Sequence, residues 1–245
     1  MKIFFKKETG REQSKMSERL IEEIGLFQEH RAIGVEVWWC RFNSLHLNQN
    51  LGCSLNIDIP DDIRRSVPKR QAEYMAGRIL ARQALASIGS NSTEVTRNVD
   101  RSPGFPKGIS GSISHTRDQA LCAVTSNNAI NFLGVDIEYL LCHKTANDLS
   151  NHIMNTRELK FFDECKLSFR QFATLVFSAK ESVYKAIYPY IKDVIGFETS
   201  EVIGISEKHI ELVLDERIGK LLPQYSTLNC QFNMTEDHII TLVAQ

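Results

Sequence analysis

The chain has 245 residues, 42% of them hydrophobic, with 13 Gly and 6 Pro, which points to a globular protein and excludes a disordered or collagen-like one. Its 29 basic and 30 acidic residues leave a formal charge of −1, so there is no global field for nucleic acid and local clusters must carry any phosphate binding. No apolar run approaches the ~18 residues of a membrane span. No signal-peptide core follows Met1, and Cys40, Cys53, Cys122, Cys142, Cys165 and Cys230 form no CxxC pair; together these predict a cytoplasmic protein with reduced thiols.

In chain order, Met16, Leu20, Ile21, Ile24 and Phe27 recur at helical spacing, which predicts a helix over 14–30. The β-branched and aromatic run 33–39 predicts a strand, and 43–62 a loop. An amphipathic pattern over 67–88, stopped by Gly89, predicts a long helix. Breakers over 91–111 predict a loop, followed by strands at 120–125 and 132–137 joined by Asn127-Asn128. Beyond Asp136, 141–150 reads as irregular, 155–163 as a short helix and 168–187 as a longer one. Two hairpins close the chain, 202–206 with 210–214 and 228–234 with 238–243. Helix-then-strands thus occurs twice.

Four stretches combine polar chemistry with an awkward context. Gly111-Ser112-Ile113-Ser114-His115-Thr116 is dense in short hydroxyl side chains that leave backbone N–H groups open to a phosphate; the alternative is a Ser-rich turn. In Gly134-Val135-Asp136-Ile137-Glu138, strand alternation sends both carboxylates to one face and Val135 and Ile137 to the core. Such a pair either holds a hard cation such as Mg²⁺ or faces water. Glu181 and Lys185 fall one helical turn apart within an otherwise apolar, Ala-rich helix, as a functional pair or a surface one. Arg70, Arg78 and Arg82 share one side of the long helix, where guanidinium groups hold phosphate bidentately or simply face solvent.

The order and spacing of Lys69-Arg70-Gln71-Ala72-Glu73-Tyr74-Met75-Ala76-Gly77-Arg78, the Gly111 run, the Gly134 run and Phe177-Ser178-Ala179-Lys180-Glu181-Ser182-Val183-Tyr184-Lys185-Ala186 resemble the 4′-phosphopantetheinyl transferases, in the branch of the enterobactin synthetase component D enzymes. The resemblance implies an α+β pseudo-dimer of two similar halves, here 1–137 and 138–245, with coenzyme A in the cleft between them. It implies Mg²⁺ on Asp136, Glu138 and Glu181, and phosphate contacts from Ser114, His115, Arg70, Arg78 and Lys185. The resemblance gives Glu181, Lys185 and His115 the catalytic roles: proton removal from a carrier serine by Glu181, directly or through a metal-bound water, and charge neutralisation on the departing 3′,5′-ADP by Lys185 and His115. The partners implied are apo carrier proteins or carrier domains of peptide, polyketide or fatty-acid synthases, served by a monomer. Phe177 and Phe105 stand where the family usually has Trp. Two other readings use the same acids: a metal-dependent phosphohydrolase with water as acceptor, and a non-catalytic carrier-binding module.

Overall fold

The computed structural model describes residues 5–7, 20–27, 34–47, 51–223 and 225–245. The chain divides into two compact units, Met1–Asn128 and Ala129–Gln245. Each is α+β, a long helix laid on an antiparallel sheet.

In the first unit β1 (Phe5–Lys7), β2 (Ile21–Phe27) and β3 (Glu36–Phe42) precede the short helices α1 (Leu51–Ser54) and α2 (Asp61–Arg64). The long helix α3 (Pro68–Ser87) follows, then the two-residue strands β4 (Thr96–Arg97) and β5 (Pro103–Gly104), then β6 (Ser110–His115) and β7 (Gln119–Thr125). The main sheet runs β1-β2-β3-β7-β6. Pro68 starts α3 where a missing N–H costs nothing, and Gly89, at φ +68°, ends it. One face of α3, with Met75, Leu80 and Leu85, packs on Trp38, Phe42 and Cys122 of the sheet.

Three expectations change here. The helix expected over 14–30 is strand β2 at 21–27, and its remaining residues, apart from Leu20, lie outside the described ones. Pairing with β3 from Ile21↔Phe42 to Phe27↔Val37 decides the matter, because the sheet satisfies the backbone that helical spacing alone would have paired internally. The expected loop 43–62 holds α1 and the start of α2. The run from Gly111 to His115 is no turn: it is strand β6, paired from Ser110↔Thr125 to His115↔Ala120.

The second unit opens with β8 (Leu133–Tyr139), then α4 (His143–Ile153), α5 (Lys160–Glu164) and α6 (Phe169–Ile191). It closes with β9 (Ser200–Ile205), β10 (His209–Leu214), α7 (Glu216–Leu221), β11 (Thr227–Met234) and β12 (His238–Ala244), in the sheet order β8-β12-β11-β10-β9. A capping box of Ser168 and Gln171 starts α6, and Phe172, Val176, Val183 and Ile187 pack it on the sheet. The stretch expected to be irregular, 141–150, instead carries α4, whose Cys142 accepts the Thr145 N–H as N-cap. The units divide upstream of the expected joint at 137/138. That joint would cut β8, whose partner is β12 from Leu133↔Ala244 to Tyr139↔His238, so the whole strand belongs to the second unit.

Candidate active site

The second unit gathers the acids. Gly134 lets α6 approach β8: a Cβ there would collide with the Ser182 carbonyl oxygen and lie 2.7 Å from the Ala186 nitrogen. The consequence is that α6 side chains reach the β8 carboxylates directly. Lys185 Nζ lies 2.7 Å from Asp136 Oδ1 and also donates to the Val135 carbonyl at 3.2 Å, so it serves the strand rather than its helical neighbour Glu181. Ser178 Oγ donates to the other oxygen of Asp136 at 2.7 Å. Asp136 is only 2% exposed. The face bearing Asp136 is therefore the one that meets the helix, whereas alternation alone had assigned the buried side to Val135 and Ile137, which are buried as well.

Two further carboxyls complete the group. Burial pushes Glu138 up to about 8; the nearby Asp136 and Glu181 charges add to that rise and Lys185 opposes it. Burial likewise raises Glu181 above the usual carboxylate range, with Lys185 opposing and Asp136 adding to the shift. The three acids and Lys185 thus sense one another across β8 and α6. Among the described residues no three His, Cys, Asp or Glu side chains are grouped closely enough to hold a metal ion as they stand. A cavity of about 250 Å³ opens beside Glu181, walled in part by Tyr184, Ile195 and Phe197.

The first unit gathers a basic cluster. Arg70 Nη1 lies 2.8 Å from His115 Nε2, joining the start of α3 to the end of β6. A guanidinium only donates, so Nε2 accepts. Glu73 lies beneath both, 3.2 Å from Arg70 Nη1 and 3.8 Å from His115 Nδ1. Ser114 is buried on the same strand as His115. Arg78 turns elsewhere: it donates to the Thr96 carbonyl at 3.3 Å and its guanidinium stacks 4.6 Å over the Tyr74 ring. With Tyr74, Arg82 and Arg97 it lines a cavity of about 300 Å³, and its buried Nε has no hydrogen-bond partner among the described residues. Arg82 ties down the carbonyls of Leu55 and Asn56.

Sequence reasoning passed over Glu73, although its i,i+3 and i,i+4 spacing to Arg70 and Lys69 was visible. It also quoted Ser178 and Lys180 inside a motif without giving either a task. Lys180 Nζ is 2.7 Å from Glu158 Oε1, with both side chains 2% exposed, on the side of α6 away from Asp136.

Acids with a lysine, and a separate arginine–histidine cluster, are side chains of the kind that handle phosphate esters. Comparison with protein families makes the class definite: residues 60–125 match the 4′-phosphopantetheinyl transferase N-terminal domain, and residues 132–243 match the 4′-phosphopantetheinyl transferase superfamily. The chain belongs to that superfamily, whose members move the phosphopantetheine arm of coenzyme A to carrier proteins. Among individual relatives, it is 33% identical to enterobactin synthase component D of Salmonella typhi over 75% of this chain and 76% of that one. It is 37% identical to the protein of that name from Escherichia coli O157:H7, over 58% and 66% of the two chains. The 4′-phosphopantetheinyl transferase PptT of Mycobacterium tuberculosis is 24% identical over 74% and 82%. Among the described residues no helix is long and apolar enough to cross a membrane.

Proposed function

We propose that the Asp136–Glu138–Glu181–Lys185 group is where the chain transfers 4′-phosphopantetheine from coenzyme A to the serine of an apo carrier protein, with Mg²⁺ held by Asp136, Glu138 and Glu181. The observation that carries this reading is the crowding of three carboxyls, buried Asp136 and half-buried Glu138 and Glu181, around the single ammonium of Lys185, with Glu138 and Glu181 raised first by burial and then by neighbouring acids. Such a set fits a hard divalent ion, which takes oxygen ligands and relieves that charge. When bound, Mg²⁺ supplies a positive clamp for a diphosphate.

The chain's own residues do the remaining work. Glu181, whose carboxyl burial raises above its usual range, takes the proton from the carrier serine hydroxyl. The serine oxygen bonds to the β-phosphorus while the bond from that phosphorus to the bridging oxygen breaks, and 3′,5′-ADP departs with the electron pair. Lys185 adds positive charge beside Asp136 as negative charge builds on the leaving group. The Arg70–His115 pair, with Ser114 on the same strand, is suited to hold one phosphate of the donor, and Arg78, in its own cavity, to hold another. The cavity beside Glu181 suits its flexible neutral arm. We expect peptide or polyketide synthetase carriers, in line with the enterobactin synthase relatives, and a cytoplasmic monomer whose free cysteines fit a reducing compartment.

The test is incubation with coenzyme A, Mg²⁺ and a panel of apo carriers, read by intact-protein mass. The native chain should add one arm to a carrier only when Mg²⁺ is present, and Asp136→Ala and Glu181→Gln should add none while keeping their circular dichroism. Near-normal labelling by either variant overturns the assignment. Cleavage of coenzyme A with no carrier present would make water the acceptor.

A further inference from the structure

We infer that Ser182, Thr241 and Ser178 form a one-way chain of hydroxyl hydrogen bonds that ends on Asp136 and fixes its carboxylate for cation binding. The inference rests on Asp136 being a cation ligand, and it makes Ser178 and Thr241 positioning residues.

The three hydroxyls are all fully buried between α6 and β12. Register pairs Thr241 with Asp136 across β12 and β8, which puts both residues under the same stretch of helix. Ser178 Oγ is 2.7 Å from Asp136 Oδ2 and 2.8 Å from Thr241 Oγ1. Ser182 Oγ is 2.7 Å from Thr241 Oγ1 and 3.1 Å from the Thr241 carbonyl. Thr241 Oγ1 also donates to the Ser178 carbonyl at 2.9 Å.

Counting protons sets the direction. A carboxylate only accepts, so Ser178 gives its single hydroxyl proton to Asp136. At the Ser178–Thr241 contact the threonine must then be the donor, sharing its proton between the Ser178 hydroxyl and carbonyl oxygens. With that proton spent, Thr241 accepts from Ser182, which shares its single proton between the Thr241 hydroxyl and carbonyl oxygens. Each link polarises the next toward the carboxylate. Lys185 holds the opposite oxygen of Asp136 at 2.7 Å, so donors on both oxygens set the plane of the group. Packing alone does not call for this chemistry: Ala at 178 and 182 and Val at 241 would fill nearly the same space without three buried hydroxyls to satisfy. Hydrogen bonds to a ligating carboxylate orient it, and losing one typically costs about 10–100-fold in metal affinity or activity.

The test measures cation binding directly. Mn²⁺ is titrated into the full chain at pH 7 without coenzyme A, free Mn²⁺ is followed by its EPR signal, and folding is checked by thermal melting. Ser178→Ala should weaken Mn²⁺ binding by about 10-fold or more, and Thr241→Val, which keeps the shape and loses the hydroxyl, by several-fold. Thr241→Ser, which keeps the hydroxyl and loses the methyl, should stay within about twofold of the native chain, since its hydroxyl still donates. Native-like binding by Thr241→Val, or equal damage from Thr241→Ser, overturns the relay. If Thr241→Val does not fold, native-like binding by Ser178→Ala overturns it alone. A native chain that binds no Mn²⁺ instead removes the cation reading of Asp136 itself, and the relay with it.

Discussion

Lys180 sits beside the proposed base in sequence yet has a different task, and replacing it separates architecture from chemistry. Its ammonium lies 2.7 Å from Glu158 Oε1, donates to the Ile153 carbonyl at 2.7 Å and to the Phe197 carbonyl at 3.1 Å. Glu158 in turn accepts the Asn155 N–H at 2.8 Å and the Val202 N–H at 2.9 Å. One buried ion pair thus ties α6 to the end of α4, to the turn before α5 and to β9. Lys180→Met keeps most of the stem volume and removes every donor. It leaves the buried Ile153 carbonyl and the half-buried Phe197 carbonyl without that partner, and Glu158 charged with backbone N–H groups to face. Removing one member of a buried pair costs about 3–5 kcal/mol, and the orphaned carbonyls place this site at the upper end. With a urea slope of about 1–3 kcal/mol per M, the unfolding midpoint should fall by about 1.5 M or more. Equilibrium urea denaturation followed by fluorescence and circular dichroism reads the shift. An unfolding free energy within about 1 kcal/mol of that of the native chain refutes the reasoning, because removing one member of a fully satisfied buried pair costs more than that. A stable Lys180→Met protein that has lost transfer would mean that the ammonium takes part in the chemistry.

Two other perturbations probe the same unit. Gly134→Ala should destabilise the chain by at least the about 1–3 kcal/mol of an overpacked core, since a Cβ there meets the backbone of Ser182 and Ala186 rather than a side chain that can yield; a native melting temperature would contradict the close approach of α6 to β8. Glu138, raised from its usual 4.5 to about 8, binds its proton more tightly in the folded chain than in the unfolded one, so the stability it contributes is complete below pH 4.5 and is lost as the pH climbs through 8. In chelator, Glu138→Gln should remove most of that decline, whose slope is at most about 1.4 kcal/mol per pH unit; urea midpoints measured from pH 5 to 8 that run parallel for the two proteins would dismiss it.

The elements that the sequence made legible are those whose local signals agree. The two long helices carry apolar periodicity together with a start or stop signal, and both appear within a few residues of the expected bounds, α6 running on through Pro189. The C-terminal strands alternate around polar turns and pair as expected, His209↔Gln231 joining the two hairpins into one sheet. Where local pattern and tertiary pairing conflict, pairing prevails. Residues 21–27 have helical spacing but find β3, and the Ser-rich run 110–115 has turn composition but finds β7. The acids of the site were visible because two stand on one strand and the third one turn from a lysine. Their supporters were not. Glu158 meets Lys180 and Thr241 meets Ser178 only through folding, at separations no motif spans.

The helical period explains why neighbours in one motif do unlike things. At about 100° per residue, positions 178, 181, 182 and 185 of α6 fall within about a third of its circumference, while 180 points away from them. On the first face lie Ser178 and Lys185, which hold Asp136, Ser182, which bonds Thr241, and Glu181. The opposite face carries Val176, Val183 and Ile187 into the core, and Lys180 is its polar member, acceptable there only because Glu158 and two carbonyls meet it. The close contact at Gly134 brings the first face against β8, and the buried pair at Lys180 holds the second against α4 and β9. Rotating the helix to improve either contact would spoil the other. Packing on both sides of the helix therefore fixes against β8 the stretch of α6 that carries Glu181.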